Sequence, residues 1–279
     1  MMALKELLNI ATSRLMQHSS SPRLDAELLL CHVMEKPRSF IYAQPEHVIS
    51  ETHINQLNEL IQRREAGEPV AHLTGTREFW SLELAVTTDT LIPRPETECL
   101  VEQALTHIPA SGPCRIADLG TGSGAIAIAL AHERPQSQFV ATDISPAALS
   151  VASANAKRHQ LTNIEFTAGH WLEDTQTLFD IIVSNPPYIR EDDPHLQQDG
   201  LMFEPPTALV ANDDGMAAIK IIAAQARQHL KPGGWLLIEH GFDQQPAVLD
   251  CLKQFNYVAI SGIKDLSGQD RLVECQMRS

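Results

Sequence analysis

The feature that most constrains the fold is a regular alternation of short apolar strands and helices that begins near residue 115. Strands that alternate with helices form a mostly parallel sheet with helices on both faces. Two late strands, near 257–262 and 271–276, flank a polar loop and are expected to close the sheet in antiparallel fashion. The sequence therefore predicts a doubly wound α/β fold, whose other strands are 115–119, 138–142, 164–167, 179–184 and 235–239.

The first seventy residues have a different pattern. Apolar residues recur at helical spacing in three segments, and no strand pattern competes with them, so we expect a small helical bundle. A short hairpin is predicted near 78–86, followed by a proline-rich loop that leads into a helix over 96–107. We therefore expect a helical domain over 1–72, a hairpin linker over 73–95 and a larger domain over 96–279.

Composition disfavours several classes of protein. The longest apolar run, Ala125–Ala131, has seven residues, well below the ~20 of a membrane helix, and no secretion signal is evident. Five scattered cysteines without a C-x-x-C pair indicate neither a disulfide scaffold nor a cysteine-bound zinc. The histidines show no metal-ligand spacing. We expect a cytoplasmic protein without a metal, and the net charge of −14 argues against nonspecific binding to nucleic acid.

A glycine-rich turn, Asp118–Gly124, lies between the first predicted strand of the sheet and its helix. Three glycines let a ligand approach the backbone, and the start of the helix at Ala125 offers free N–H groups. Asp143 ends the next strand, where an acid can hold ribose hydroxyls. Taken alone, this pattern fits either a nicotinamide dinucleotide or S-adenosylmethionine.

The end of the fourth strand distinguishes these ligands. There the sequence is Asn185-Pro186-Pro187-Tyr188, at the switch point of the predicted sheet. The two prolines hold the Asn185 side chain and the Pro186 carbonyl as a rigid pair of acceptors, which suits a planar –NH₂ group. The ring of Tyr188 can stack on that group or flank it. This pattern favours a site that holds a planar –NH₂ group.

Together the two motifs resemble those of class I S-adenosylmethionine-dependent methyltransferases that act on planar nitrogens. Further segments are similar to the HemK/PrmC family, the peptide chain release factor N5-glutamine methyltransferases. This similarity runs over essentially the whole chain, the N-terminal helices included. The segments are 23–29, 75–80, 91–98 and 203–205.

The resemblance implies a Rossmann-like seven-stranded sheet with a small N-terminal helical bundle that helps to seat the release factor. It implies transfer from S-adenosylmethionine to the glutamine of a Gly-Gly-Gln tripeptide, with S-adenosylhomocysteine as product. Asp143 would bind the ribose, Trp171 would flank the adenine, and Asn185 would touch both cofactor and glutamine. The glycine-rich turn would wrap the cofactor through Gly120, Thr121, Gly122, Ser123 and Gly124, and Pro186, Pro187 and Tyr188 would complete the glutamine pocket.

Other functions remain open at this stage. The same motif can hold an exocyclic amine of adenine or guanine in nucleic acid, although the acidic charge disfavours that substrate. A glutamine of a large-subunit ribosomal protein is a second alternative, and a nicotinamide-dependent oxidoreductase or a noncatalytic binding module is less favoured. Arg94 and Glu98 are expected only to build the proline-rich loop and cap its helix. We expect a monomer that forms no stable complex with nucleic acid or membrane.

Overall fold

The computed structural model describes residues 2–197 and 200–279, which form two compact units. The first unit covers the chain through Thr76 and the described part of the segment Gln197–Phe203. The second unit comprises Arg77–Leu196 and Glu204–Ser279. The expected domain limits at residues 72 and 95 stay predictions, because compact units need not coincide with domains of independent function.

The first unit is helical, as the apolar spacing predicts. Three long helices, α1 (Leu4–Leu15), α2 (Pro22–Met34) and α4 (Glu51–Glu65), confirm the three predicted ones. Two short helices, α3 (Arg38–Ala43) and α5 (Val70–Thr74), were not anticipated. The expectation of no strands was wrong, because β1 (Met2–Ala3) pairs antiparallel with β2 (Val48–Ile49). Two residues are too few to show a strand periodicity.

Helix α2 buries carboxylates as well as apolar side chains. Glu27 is 1% exposed and accepts hydrogen bonds from Arg23, Arg38 and Tyr42 at 2.6–2.8 Å. Leu24, which the apolar pattern assigns to the same face as Glu27, is instead 39% exposed. A carboxylate can occupy an interior position when it is fully paired, so charge alone does not place a residue on the surface.

The predicted hairpin, β3 (Thr76–Phe79) and β4 (Leu82–Ala85), belongs to the second unit except for its first residue, Thr76. A 3₁₀ turn over Pro95–Thr97 then leads into α6 (Glu98–His107). The seven-stranded sheet comprises β5 (Arg115–Leu119), β6 (Gln138–Asp143), β7 (Ile164–Ala168), β8 (Phe179–Ser184), β9 (Leu230–Glu239), β10 (Val258–Lys264) and β11 (Asp270–Gln276).

The order of the strands is β10-β11-β9-β8-β5-β6-β7. Strands β5 to β9 pair in parallel with one another, and β11 pairs antiparallel with both β9 and β10. This arrangement confirms the predicted fold class, including the antiparallel closure. Strand β8 lies beside β5, so the chain reverses its direction of winding at β5, where ligands bind in sheets of this kind.

Besides α6, which packs against β8 and β9, five helices pack on the sheet or connect its strands. They are α7 (Ala125–Glu133), α8 (Pro146–Arg158), α9 (Pro206–Leu209), α10 (Ala217–His229) and α11 (Gln245–Gln254). Every residue of α7 from Ala125 to Ala131 is buried, which explains the long apolar run in the sequence. Helix α11 was not predicted. Among the described residues, no helix is long and apolar enough to cross a membrane.

The predicted start of β9 was wrong by five residues. The strand was predicted to begin at Trp235, after Pro232-Gly233-Gly234, yet it begins at Leu230. An irregularity in pairing absorbs that segment, since Phe179 opposes Leu230 while Ile181 opposes Trp235. Proline and glycine are tolerated within a strand at such a bulge.

Candidate active site

A cleft of about 340 Å³ lies at the carboxyl edge of the parallel strands. This volume is within the range of small-molecule sites. Six of the residues singled out from the sequence line it: Gly120, Gly122, Asp143, Trp171, Asn185 and Pro187. Five others do not contribute to its lining: Thr121, Ser123, Gly124, Pro186 and Tyr188. The structure thus brings both predicted motifs to one cleft.

Two glycines of the turn are required by their neighbours. The φ of Gly120 is 72°, and an added Cβ there would lie 3.0 Å from Cζ3 of Trp171. The φ of Gly124 is 86°, and its Cβ would lie 2.8 Å from Cδ1 of Ile128. A side chain at either position would therefore meet both an unfavourable backbone conformation and a steric clash. Gly120 faces the cleft, whereas Gly124 packs against the interior.

The buried side chain of Asp118 fixes the shape of the turn. Its Oδ2 accepts hydrogen bonds from the Thr121 hydroxyl at 2.7 Å and from the Ala127 N–H at 3.1 Å. Its Oδ1 is buried and has no partner among the described residues. Burial raises the pKa of Asp118 to about 6, against the effect of these two donors. Thr121 therefore supports the turn through its side chain, which accounts for its position outside the cleft.

Asp143 lies at the end of β6 and faces the cleft with spare acceptor capacity. Its Oδ2 accepts from the Gly122 N–H and its Oδ1 from the Ser145 N–H, both at 2.9 Å. An ionised carboxylate has about four lone-pair sites, so two remain for hydroxyl groups of a ligand. The next residue, Ile144, lines the same cleft and is 65% exposed, which gives an apolar surface beside these acceptors.

These features fit a nucleoside cofactor such as S-adenosylmethionine. Trp171 lines the cleft against Gly120, and its Nε1 is buried without a hydrogen-bond partner among the described residues. The ring of Trp171 and the side chain of Ile144 offer apolar surface for a planar base, and Asp143 offers acceptors for ribose hydroxyls. The residues present therefore suit the group that the sequence motif implies.

Asn185 defines the other end of the cleft. Its Nδ2 donates to the Thr97 hydroxyl at 3.1 Å, and its Oδ1 accepts no hydrogen bond from the residues that the structure describes. Pro186 is buried beneath it, and no hydrogen bond to the Pro186 carbonyl occurs within the described parts of the chain. Two acceptors on a segment held by two prolines are what an –NH₂ group requires.

Tyr188 is held away from the cleft lining. Its hydroxyl donates to Oε1 of Glu239 at 3.3 Å, and burial raises its pKa well above the ordinary value, so it stays protonated. In this structure the Tyr188 ring does not border the cleft, and its expected contact with the glutamine stays a prediction. Its backbone carbonyl accepts from the Gln244 side chain at 3.0 Å, which fixes the segment.

Sequence reasoning missed three residues that organise the Asn185 end: Thr97, Glu204 and Glu239. Glu204 is buried, accepts from the Ile92 N–H at 2.8 Å and pairs with Arg94, so it anchors the proline-rich loop. Arg94 thereby has the loop-building role expected of it. Both segments were quoted only for their resemblance to a family, and nothing in their spacing shows that residues 110 positions apart meet.

The cleft is completed by residues around Asp89–Leu91 and by residues between Pro205 and Ile221. Glu98 does not face the cleft; it accepts from the Trp80 N–H at 2.9 Å and ties the hairpin to α6. Within residues 2–197 and 200–279, no group of three or more His, Cys, Asp or Glu side chains could hold a metal ion. The predicted absence of a metal stays a prediction.

Comparisons with known proteins agree with the two-part organisation. A family model described as the PrmC N-terminal domain matches residues 6–75, and one described as a methyltransferase domain matches residues 111–266. A methyltransferase structure from Pyrococcus furiosus has a TM-score of 0.55 at 16% identity, covering 80% of this chain and 98% of its own. That likeness concerns the fold alone.

Sequence relatives are much closer. The release factor glutamine methyltransferase of Xylella fastidiosa (strain Temecula1) is 47% identical over 267 residues, 95% of each chain. That of Escherichia coli (strain K12) is 50% identical over 258 residues, 92% of this chain and 93% of its own. The resemblance found in the sequence is confirmed: this chain belongs to the family of release factor glutamine methyltransferases.

Proposed function

We propose that this protein transfers a methyl group from S-adenosylmethionine to the side-chain nitrogen, N5, of the glutamine in the Gly-Gly-Gln motif of class 1 peptide chain release factors. The S–CH₃ bond of the donor breaks as the N–CH₃ bond forms, the donor leaves as S-adenosylhomocysteine, and the nitrogen loses one proton to water. The observation that carries the proposal is that Asn185 lines the same cleft as Gly120 and Asp143. Full-length relatives named as release factor glutamine methyltransferases support the choice of substrate.

The cofactor, when bound, supplies an electrophilic methyl group on a sulfonium centre. Gly120 and Gly122 allow close approach of the turn, Asp143 holds the ribose, and Trp171 flanks the adenine. Asp118 keeps the turn in shape from beneath through its bond to Thr121. Thr121, Ser123 and Gly124 then act by supporting the turn that wraps the cofactor.

The acceptor is an amide nitrogen, which is a poor nucleophile because its lone pair is delocalised into the carbonyl. Oδ1 of Asn185 and the carbonyl of Pro186 accept its two N–H groups, which raises the electron density on nitrogen and orients it. Alignment at near-attack distance can lower a barrier by several kcal/mol, up to about 7–11 in ideal intramolecular cases. Pro187 holds the segment rigid, and Tyr188 supports it through Glu239.

The remaining parts of the proposal concern the partner. The N-terminal helices, within 1–72, help to seat the release factor, the hairpin over 73–95 links the domains, and 96–279 carries catalysis. We propose a cytoplasmic monomer that uses no metal and forms no stable complex with nucleic acid. The net charge of −14 favours a protein substrate over a polyanion.

The test is an incubation of the purified protein with methyl-labelled S-adenosylmethionine and a class 1 release factor, followed by mass mapping. We expect one added CH₂ on the glutamine of Gly-Gly-Gln, and none on a release factor with alanine at that position. Parallel reactions contain duplex DNA or ribosomes. Label in nucleic acid or in a ribosomal protein, with the release factor unmodified, would contradict the proposed substrate.

A further inference from the structure

A chain of buried polar groups leads from the cleft into the interior. Nδ2 of Asn185 donates to the hydroxyl of Thr97 at 3.1 Å, and Thr97 is 4% exposed. The Thr97 side chain also interacts electrostatically with the carboxyl group of Glu239, which is 1% exposed. Tyr188 donates to Oε1 of Glu239, whereas Oε2 has no partner among the described residues. Three segments distant in sequence thus meet behind Asn185.

We propose that Glu239, acting through the Thr97 hydroxyl, determines which end of the Asn185 amide faces the cleft and is therefore a positioning residue for the methyl acceptor. This inference rests on the proposed function, because it concerns the amide that receives the methyl group. Glu239 itself does not line the cleft. Its effect on the reaction passes through Thr97 and Asn185.

The physical argument is one of hydrogen-bond direction. An ionised carboxylate only accepts, so it takes the single proton of the Thr97 hydroxyl. The hydroxyl oxygen of Thr97 must then accept, and the group that it accepts from is Nδ2 of Asn185. Oδ1 of Asn185 is left for the N–H groups of the substrate. With Glu239 ionised, the amide thus presents its acceptor end.

A protonated Glu239 allows the reverse direction. It can donate to the Thr97 oxygen, and Thr97 can then donate to Oδ1 of Asn185. The Asn185 –NH₂ would face the –NH₂ of the glutamine, where two sets of donors meet without an acceptor. Neither –NH₂ group would then find an acceptor in this partly buried site, which disfavours binding of the glutamine in the reactive pose.

The electrostatic surroundings of Glu239 place this reversal of hydrogen-bond direction near neutral pH. Burial raises the pKa of Glu239 to about 7, opposed by the nearby Thr97 side chain, by the charge of Arg271 and by the hydrogen bond from Tyr188. The charge of Glu96 raises it further. The titratable and charged groups that face Glu239 from the neighbouring elements are Glu96, Cys99, Tyr188 and Arg271, the last of which is paired with Asp265.

The kinetic test compares Glu239→Gln, Thr97→Val and Thr97→Ser with the wild type. We expect Glu239→Gln and Thr97→Val to lower kcat on the release factor by about tenfold or more, because in each variant the Asn185 amide is no longer held with Oδ1 facing the cleft. The affinity for S-adenosylhomocysteine should change less than about twofold, because that end of the cleft is untouched. Thr97→Ser keeps the hydroxyl and should recover most of kcat.

A matched control is Glu274→Gln, which removes a partly buried carboxylate that pairs with His107 and Gln103 outside the cleft. Its kcat should equal that of the wild type. In the wild type kcat should rise with pH through about 7, and this inflection should vanish in Thr97→Val. A Glu239→Gln variant with wild-type kcat and an unchanged pH profile would overturn the inference.

A second readout needs no catalysis. In ¹⁵N-labelled protein, the side-chain amide signals of Asn185 should shift with pH around 7 in the wild type and not in Glu239→Gln or Thr97→Val. If the Asn185 signals titrate but the release factor is not methylated, the proposed function is contradicted while the positioning role of Glu239 is supported. An Asn185 signal that is independent of pH in the wild type, or that titrates equally in Thr97→Val, would contradict the inference.

Discussion

The two ends of the cleft are built in different ways. At the glycine-rich end, the groups that shape the site are close in sequence: Asp118 bonds Thr121, and Asp143 bonds Ser145 and the turn one strand away. At the Asn185 end, the partners are remote, because Asn185 meets Thr97 at a separation of 88 residues. The first end depends on local conformation and the second on tertiary packing.

This difference predicts that the two ends can be damaged separately. Substitutions at Asn185 should act on transfer, whereas substitutions near Gly120 and Asp143 should act on cofactor affinity. The expected loss of turnover decreases from Asn185→Ala through Asp143→Ala and Gly120→Ala to Asp118→Asn.

Asn185→Ala should have the largest effect. Removal of a preorganised hydrogen-bonding group at a reacting centre typically lowers kcat by about 10²–10³. We expect a loss of this size on the release factor, measured at saturating cofactor, with an unchanged circular dichroism spectrum. Asn163→Ala, outside the cleft lining, is the control for loss of an asparagine side chain. Near wild-type turnover by Asn185→Ala would contradict the acceptor-pair argument.

Asp143→Ala should act on the other end. Loss of hydrogen bonds to a charged acceptor is worth about 1.5–3 kcal/mol, or roughly 10- to 100-fold in affinity for S-adenosylhomocysteine. Calorimetric titration measures it directly, and kcat at saturating cofactor should change little. Asp180→Ala is the matched control, because Asp180 pairs with Lys231 at the opposite end of the parallel strands. Equal affinity in Asp143→Ala and the wild type would rule out the ribose role.

Gly120→Ala tests the approach of the turn to Trp171. The new Cβ would lie 3.0 Å from the indole at a φ of 72°, so we expect a destabilisation of about 1–3 kcal/mol in urea unfolding. Affinity for S-adenosylhomocysteine should fall as Trp171 is displaced. Gly268 has a similar φ of 80°, and a Cβ added there would have no neighbour within 4 Å. Gly268→Ala therefore measures the backbone strain without the contact to Trp171. If both variants lose the same stability, the contact with Trp171 has no role.

Asp118→Asn should affect turnover least. It tests whether Asp118 acts on the stability of the fold through the glycine-rich turn. Because burial raises the pKa of Asp118 to about 6, the folded state binds a proton more readily than the unfolded state. This group therefore destabilises the fold progressively as pH rises from about 4 to above 6. Asp118→Asn should be less sensitive than the wild type to that change of pH. If the free energy of unfolding changes equally between pH 5 and pH 8 in the wild type and in Asp118→Asn, this assignment is contradicted.

Sequence reasoning succeeded where structure depends on neighbours in sequence. The strands of the seven-stranded sheet, the glycine-rich turn and Asp143 follow from apolar patterns and turn chemistry, and they lie close to where they were predicted except for the start of β9. Asn185 also lies in the cleft, as predicted for the end of a strand at the switch point of the sheet. Glu204 and Glu239 could not be assigned in this way. Each looks like an ordinary acid beside a strand or loop, and only packing shows that each is buried against a partner from another segment.

The separability of the two ends is tested most directly by titrating Asn185→Ala with S-adenosylhomocysteine in the calorimeter. Asn185 borders the cofactor as well as the acceptor, so its loss should weaken this affinity by less than about fivefold, while turnover falls by two orders of magnitude or more. A loss of affinity as large as the loss of turnover would contradict the account, since one intact cleft, rather than two separately built ends, would then govern both steps.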